Sequence, residues 1–338
     1  MNGSGPHAPT MVSTTGSTER YAGSVRDVYR RALLDLARIE ERVFCLEADV
    51  GGFENTFAAE FPERYGNVGI AEANLMGMAA GLAAVGWLPY VHTFSSFAAC
   101  RACEQLKIDI AGNNLPVRVV VTHGGLSAGH YGPSHHALED VAIVRAMPNM
   151  TLIVPADAIE AEKAVFATAD LPGPLYLRLG RAPTPLVQRD TYEFRPGHAV
   201  QLRPGDDVTI VAAGPYPVGM ALAAHDELAS AHGIQARVVN MHTIKPLDKS
   251  TLVRCAAETS AIVTVEDHVL AGGLGGAVCE TLAETVPRPV RRIGVPDAFF
   301  DRVGGERQLL DFAGVNVTNI VAAVRELAEG TARTRGHE

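Results

Sequence analysis

Compact apolar runs recur along this chain with helical stretches between them, and that alternation limits the fold more than any single motif does. The runs are Val43 to Ala48, Leu88 to Phe94, Val117 to Thr122, Thr151 to Val154 and Leu175 to Leu179. Short buried strands alternating with helices predict a mostly parallel sheet covered on both faces. Ahead of them, Val25, Val28, Tyr29, Ala32, Leu33 and Leu36 fall on one face of a helix over residues 24–40, with charges on the other. From Ala182 to Gly205, prolines and charges without a clear period read as a linker. The alternation then restarts with Val208 to Ala213, Ala236 to Met241, Ala261 to Val265 and Val290 to Val295. The class is therefore α/β, with two domains, each a mostly parallel sheet flanked by helices; 338 residues suffice for two cores of ordinary size.

Ligands in open parallel sheets sit beyond the carboxyl ends of the strands. The stretches that follow the runs carry the interest: Asp49 to Gly52, Thr93 to Phe97 and His123 to His136 in the first half, and Gly214-Pro215 and Glu266 to His268 in the second.

Composition removes several classes of function. Hydrophobic residues at 47% and charged residues at 20% suit a soluble globular protein. A formal net charge of −9 with no cluster of Lys and Arg opposes binding to nucleic acid. Five cysteines without a regular framework suit a reducing, cytoplasmic setting. Cys100 and Cys103 have redox or zinc spacing, but no second pair lies nearby, and buried free thiols are the favoured reading. Residues 1–22 are rich in Gly, Ser, Thr and Pro without an apolar core and read as a disordered arm; 331–338 reads as a disordered tail. Between Ala73 and Cys100 no Asp, Glu, Lys or Arg occurs, yet Gly77, Gly81, Gly86, Pro89 and Ser95-Ser96 break the run into pieces too short to cross a bilayer. Burial inside the protein or at a subunit interface explains it better.

Within that neutral run stand most of the residues able to do chemistry. Glu72 is the only charged residue between Arg64 and Arg101 and opens a helix of small residues. It is either an ordinary first-turn acid stabilised by the helix dipole or a buried acid held in its protonated form. Phe94 and Phe97, three residues apart past a strand end in a chain with 6% aromatics, are either core or a stacking surface for a planar ring. HGGLSAGHYGPSHH, His123 to His136, combines four histidines with four glycines, a pairing that gives sharp backbone turns and imidazoles able to exchange protons. It reads as a substrate or cofactor loop ahead of an incidental surface loop. A metal site lacks a companion carboxylate there. Gly272, Gly273, Gly275 and Gly276 are loosely similar to a dinucleotide fingerprint but miss the GxGxxG register; close helix packing explains them equally well.

Taken together, GIAEANLMGMAAGLA (69–83), HTFSSF (92–97), THGGLSAGHYGPSHHALED (122–140), LRLGR (177–181) and VEDHVLAGGLGG (265–276) resemble the transketolase family in order and spacing, over about residues 24–328. The resemblance implies a pyrimidine-binding domain of the thiamine-diphosphate-binding fold over 23–190, a linker over 191–205 and a transketolase C-terminal domain over 206–330. It implies that Glu72 bonds the N1′ nitrogen of the aminopyrimidine of thiamine diphosphate and favours its imino tautomer, and that the cofactor is the electron sink. By the same resemblance Phe94 and Phe97 stack on the pyrimidine, Asp49 lies near the thiamine, His123 and His135 contact substrate hydroxyls, and Arg26 and Arg181 grip a sugar phosphate through their planar guanidinium forks.

The chain also departs from the family pattern. Tyr131 stands where typical members carry an aspartate that recognises an acceptor-sugar hydroxyl, His130 replaces a neighbouring acid, and Phe53 takes the place of a phosphate-binding serine. The GDG motif and later asparagine that hold Mg²⁺ and diphosphate in the family do not occur, and no metal ligand is assigned on this chain. The resemblance thus implies half of a split enzyme, working with an amino-terminal transketolase subunit that holds the diphosphate and Mg²⁺, in a heterotetramer around a dimer of this chain. The first functional reading is transfer of a two-carbon ketol unit from a ketose phosphate. The second is a β-type subunit, as in 2-oxo-acid dehydrogenases, that passes the unit to a lipoyl or carrier-protein thiol. A third is a non-catalytic assembly subunit; a nicotinamide-dependent dehydrogenase comes last.

Overall fold

The computed structural model describes Tyr21 and residues 23–335. The arm expected over 1–22 lies outside the described residues except for Tyr21, which is buried and donates its hydroxyl to Asp190 at 2.6 Å. Of the expected tail, residues 331–335 continue the closing helix Val317–Arg335, and 336–338 lie outside the described residues.

The first helix, Val25–Ile39, opens on a capping box in which Ser24 and Asp27 satisfy each other's backbone N–H groups. Its buried stripe, Val25, Val28, Tyr29, Ala32, Leu33 and Leu36, is the one its periodicity predicts. The first sheet holds β1 (Val43–Glu47), β2 (Tyr65–Asn67), β3 (Leu88–Phe94), β4 (Arg118–Thr122), β5 (Thr151–Ile153) and β6 (Leu175–Arg178). The second half contributes β7 (Val200–Arg203), β8 (Val208–Ala213), β9 (Ala236–Asn240), β10 (Thr243–Lys245), β11 (Ile262–Val269) and β12 (Val290–Val295). The sheet orders are β10-β5-β6-β4-β3-β1-β2 and β12-β11-β8-β9-β7. All pairings are parallel except β10 with β5 and β7 with β9, at one edge of each sheet. Strands β4, β8 and β9 are buried along their whole length, as parallel strands covered by helices must be.

Two edges differ from the sequence expectation. The stretch 191–205, read as linker, contains β7, whose alternating half-buried pattern suits an edge strand that no long apolar run announces. Strand β10 leaves the second domain and closes the edge of the first sheet, with Thr243 opposite Ile153 and Val154 donating its N–H to the carbonyl of His242. The two halves also share one buried cluster, in which Val91, Val119 and Val121 lie with Val211, Val239 and Ile262.

Parallel registry fixes where chemistry can occur. Phe94 pairs with Thr122, and Val121 with Arg178, so β3, β4 and β6 end together and hand their loops to one edge of the sheet. No helix among the described residues is long and apolar enough to cross a membrane.

Candidate active site

Glu72 is the first residue of the helix Glu72–Ala84, where the unpaired N–H groups of the first turn favour a negative charge. Leu75, Met76, Ala79 and Ala80 bury one side of this helix, and the Glu72 side chain itself is only 2% exposed. Its carboxylate accepts from Arg101 Nη1 at 2.8 Å. Arg101 stands at the end of a wide, π-type turn, Phe97–Arg101, that follows β3, and its guanidinium carbon lies 4.3 Å from the centre of the Phe97 ring.

From Phe97 the contacts run on without a break. Phe94 and Phe97 are nearly parallel at 5.8 Å and 9°. Phe94 meets His123 at 4.0 Å, Phe97 meets His135 at 5.1 Å, and Tyr131 stacks on His135 at 5.1 Å. Arg181 lies 5.7 Å from the Tyr131 ring. The partly exposed rings of Phe94 and Phe97 thus form a surface beside the glutamate and are not core.

The histidine loop is held from below. Gly125 and Ala137 exchange backbone hydrogen bonds at 3.0 Å, and Leu126 donates its N–H to both carboxylate oxygens of Asp267 at 3.1 Å. Gly125 has φ 61°, and a Cβ there would lie 1.7 Å from Asp267 Oδ2, so only glycine fits. Burial pushes the Asp267 carboxyl up to about 6, against the pull of Arg178. Arg178 donates to Asp140 at 2.7 Å and to the carbonyls of Ala137 and Asp267, while Ser95 and Tyr176 complete the buried network. The net effect on Asp140 is an acid held below the usual range: burial opposes ionisation, and the Arg178 charge and hydrogen bond outweigh it.

His123 is 2% exposed, with φ 61° directly after β4, and Thr122 Oγ1 lies 2.9 Å from its Nδ1. Burial pushes it down to about 3, with the positive charges of Arg181 and Arg26 acting in the same direction. It is a neutral imidazole at any ordinary pH. Arg26, Arg181, Ser127, His130 and Glu306 line an open cleft of about 440 Å³ beside it. The Arg26 Nε is buried without a hydrogen-bond partner among the described residues; Asp27 Oδ1 lies 3.8 Å from it, at ion-pair rather than hydrogen-bond distance. Burial, and after it the Asp267 charge, raises Glu306 well above the usual carboxyl range.

The structure therefore brings Glu72, Phe94, Phe97, His123, Tyr131, His135, Arg26 and Arg181 to one connected region. Asp49 stands apart, exposed at the end of β1 with φ 54°, near Gly51, whose carbonyl accepts from Arg30. Phe53 is buried between His92, at 4.2 Å, and the Arg30 guanidinium, at 5.1 Å. Among the described residues no three or more His, Cys, Asp or Glu side chains gather as a metal site.

One expectation changes and one open alternative narrows. Cys100 is exposed rather than buried, on the outer side of its turn with its thiol 3.6 Å from Glu139, and Cys103 is partly exposed. The glycines at 272–276 do not await a dinucleotide: strand β11 runs past them, and Glu266 on it accepts from the N–H groups of Leu274 (2.6 Å) and Gly275 (2.8 Å). The chain's own carboxylate thus caps the helix Leu274–Glu284, and a Cβ on Gly273 would lie 2.0 Å from it. Arg101, Asp140 and Arg178 were not singled out from sequence. The only hint of Arg101 is that it is the first charge after the long neutral run.

Known proteins match over nearly the same span. The family model described as the transketolase pyrimidine binding domain matches residues 22–185, and that described as the transketolase C-terminal domain matches 197–320. The chain is 40% identical to the 6-deoxy-6-sulfo-D-fructose transketolase subunit of Clostridium sp. (strain MSTE9), covering 90% of this chain and 94% of that one. It is 38% identical to 1-deoxy-D-xylulose-5-phosphate synthase of Heliobacterium modesticaldum, covering 93% of this chain but 49% of that one. A solved structure described as a split gene transketolase, inactive β4 tetramer, superposes with a TM-score of 0.82 at 42% identity, covering 90% of this chain and 98% of that chain.

Proposed function

Because this chain belongs to the transketolase family, we propose that it is the glutamate-bearing subunit of a split, thiamine-diphosphate-dependent transketolase that moves a two-carbon ketol unit from a ketose phosphate. The observation that carries the reading is the buried Glu72 carboxylate beside the parallel Phe94 and Phe97 rings. A flat aminopyrimidine needs a carboxyl group at its ring nitrogen and an aromatic face, and these residues supply both. The diphosphate end does not fit in the same way, since the sequence has no GDG motif followed by an asparagine. Mg²⁺ and diphosphate are therefore assigned to an amino-terminal partner subunit. In support, the chain spans nearly all of a transketolase subunit but half of a 1-deoxy-D-xylulose-5-phosphate synthase, and the superposing tetramer of split-gene β chains is described as inactive. The proposed assembly is a heterotetramer around a dimer of this chain.

Thiamine diphosphate, when bound, supplies an acidic ring carbon and an electron sink for breaking the bond next to a carbonyl. The chain's own groups have separate tasks. Glu72 holds a proton at the pyrimidine N1′. Neutral His123 accepts or donates a hydrogen bond at a substrate hydroxyl, and His135, packed on Phe94 and Phe97, contacts another. Arg26 and Arg181 hold the phosphate in the cleft through charge-assisted hydrogen bonds. Tyr131 closes the acceptor side with an aromatic ring, and Asp49, which stands apart from these groups, is given no task at the reacting atoms.

A second reading rests on Tyr131, in place of an acceptor-recognising aspartate, and Phe53, in place of a phosphate-binding serine: transfer of the unit to a lipoyl or carrier-protein thiol. One experiment separates the readings. The chain, its partner, thiamine diphosphate and Mg²⁺ are incubated with a ketose phosphate and either an aldose phosphate or a carrier protein. The first reading predicts a ketose lengthened by two carbons; a carrier heavier by a two-carbon unit selects the second; no cleavage in any mixture contradicts both and leaves the assembly role.

A further inference from the structure

Glu72 is 2% exposed, yet the guanidinium that pairs with it belongs to a side chain that is 48% exposed. The Arg101 group is planar, donates to Glu72 at 2.8 Å and lies 4.3 Å from the centre of the Phe97 ring. It therefore meets the same two features, a buried carboxylate and an aromatic face, that would receive a flat nitrogen heterocycle.

We propose that Arg101 is a displaceable latch: while the cofactor is absent its guanidinium fills the seat of the aminopyrimidine on Glu72 and Phe97, and it swings to solvent when the cofactor enters. The proposal rests on the reading of Glu72 given above. Three features make displacement feasible. Half of the side chain already faces water, so moving out costs little desolvation. The long stem rotates freely once its tip is released. The wide turn over Phe97–Arg101 inserts an extra residue per turn and aims position 101 back across Phe97 toward the helix that starts at Glu72. As long as the pair holds, Glu72 is an ion-paired carboxylate whose Oε2 is engaged, so the carboxyl must exchange its partner before it can bond a ring nitrogen.

The test is calorimetric titration of thiamine diphosphate, with Mg²⁺ present, into the assembled complex of this chain and its diphosphate-binding partner. The variants are Arg101→Gln, Arg101→Lys and Glu72→Gln, each checked by its melting curve. The latch predicts that Arg101→Gln binds the cofactor up to about fivefold more tightly than the parent. Raising salt should narrow that difference, because it weakens the parent's ion pair. Arg101→Lys, which keeps the charge but not the flat fork, should fall between them, and it carries the test if the glutamine variant fails to fold. Equal or weaker binding by Arg101→Gln overturns the latch and assigns Arg101 a contact to the bound cofactor or none. If that result comes with lost turnover in Glu72→Gln, the latch alone fails. If Glu72→Gln binds the cofactor and turns over like the parent, the reading of Glu72 fails as well.

Discussion

Arg178 donates through Nε to Asp140 Oδ2 at 2.7 Å, and the same guanidinium donates to the carbonyl of Asp267, so one buried ion pair joins the strand ends of the first domain to β11 of the second. A buried pair stripped of one member leaves an unbalanced charge. Arg178→Met should lower stability by about 3–5 kcal/mol, read as a shift in the urea midpoint with an unchanged slope. A loss below about 1 kcal/mol would show that the network does not hold the halves together.

His123 gives a pH signature. Its ordinary value is 6.5 and burial pushes the folded value to about 3. Between those limits the unfolded chain binds the proton more, so the neutral ring's contribution is present above pH 6.5 and is lost as pH falls toward 3. His123→Asn should therefore lose less stability than the parent between pH 7.5 and 5. Nitrogen NMR should show the parent ring neutral throughout that range. A ring that charges near pH 6.5 would refute the enclosed position.

Gly273 tests why the glycines at 272–276 are there. Gly273→Ala would force a methyl to within 2.0 Å of Glu266 Oε2 and should cost about 1–3 kcal/mol, through overpacking and loss of the cap on the helix Leu274–Glu284. Nicotinamide dinucleotides should produce no heat when titrated into the parent. Binding in that titration would reinstate the dinucleotide reading.

Arg181 separates binding from chemistry. Loss of a charge-assisted hydrogen bond to phosphate corresponds to about 1.5–3 kcal/mol. Arg181→Gln in the assembled complex should raise KM for a ketose phosphate by about tenfold or more and leave kcat within about threefold. A fall in kcat with KM unchanged would move Arg181 from the phosphate to the reacting atoms.

The sheet strands with long apolar runs were legible because parallel strands buried on both faces must be apolar along their length. The helix of Val25–Ile39 was legible because one face repeats with helical period. Glu72 stood out because it breaks a long neutral run, and the histidine loop because glycine and imidazole concentrate there. Strands β7 and β10 were not legible: each is short, lies at an edge and is specified by pairing with a distant partner rather than by its own pattern. The same holds for Asp140 with Arg178 and for Glu72 with Arg101, 29 residues apart, since an ion pair is a property of two positions that only the fold brings together. The exposure of Cys100 was hidden for a related reason. Its turn is of π type, so a face assignment made with ordinary helical spacing is displaced.

The central claim, that this chain contributes the cofactor acid to an active site completed by another subunit, is tested most directly by turnover of Glu72→Gln in the assembled complex. Ketol transfer from a ketose phosphate is measured with the parent chain and partner together, with each alone, and with the variant and partner. The account predicts activity only in the parent complex, and a loss of at least about a hundredfold in kcat for the variant, within the range that a positioned acid or base contributes. Full turnover by the variant complex, or by the parent chain without a partner, would contradict it.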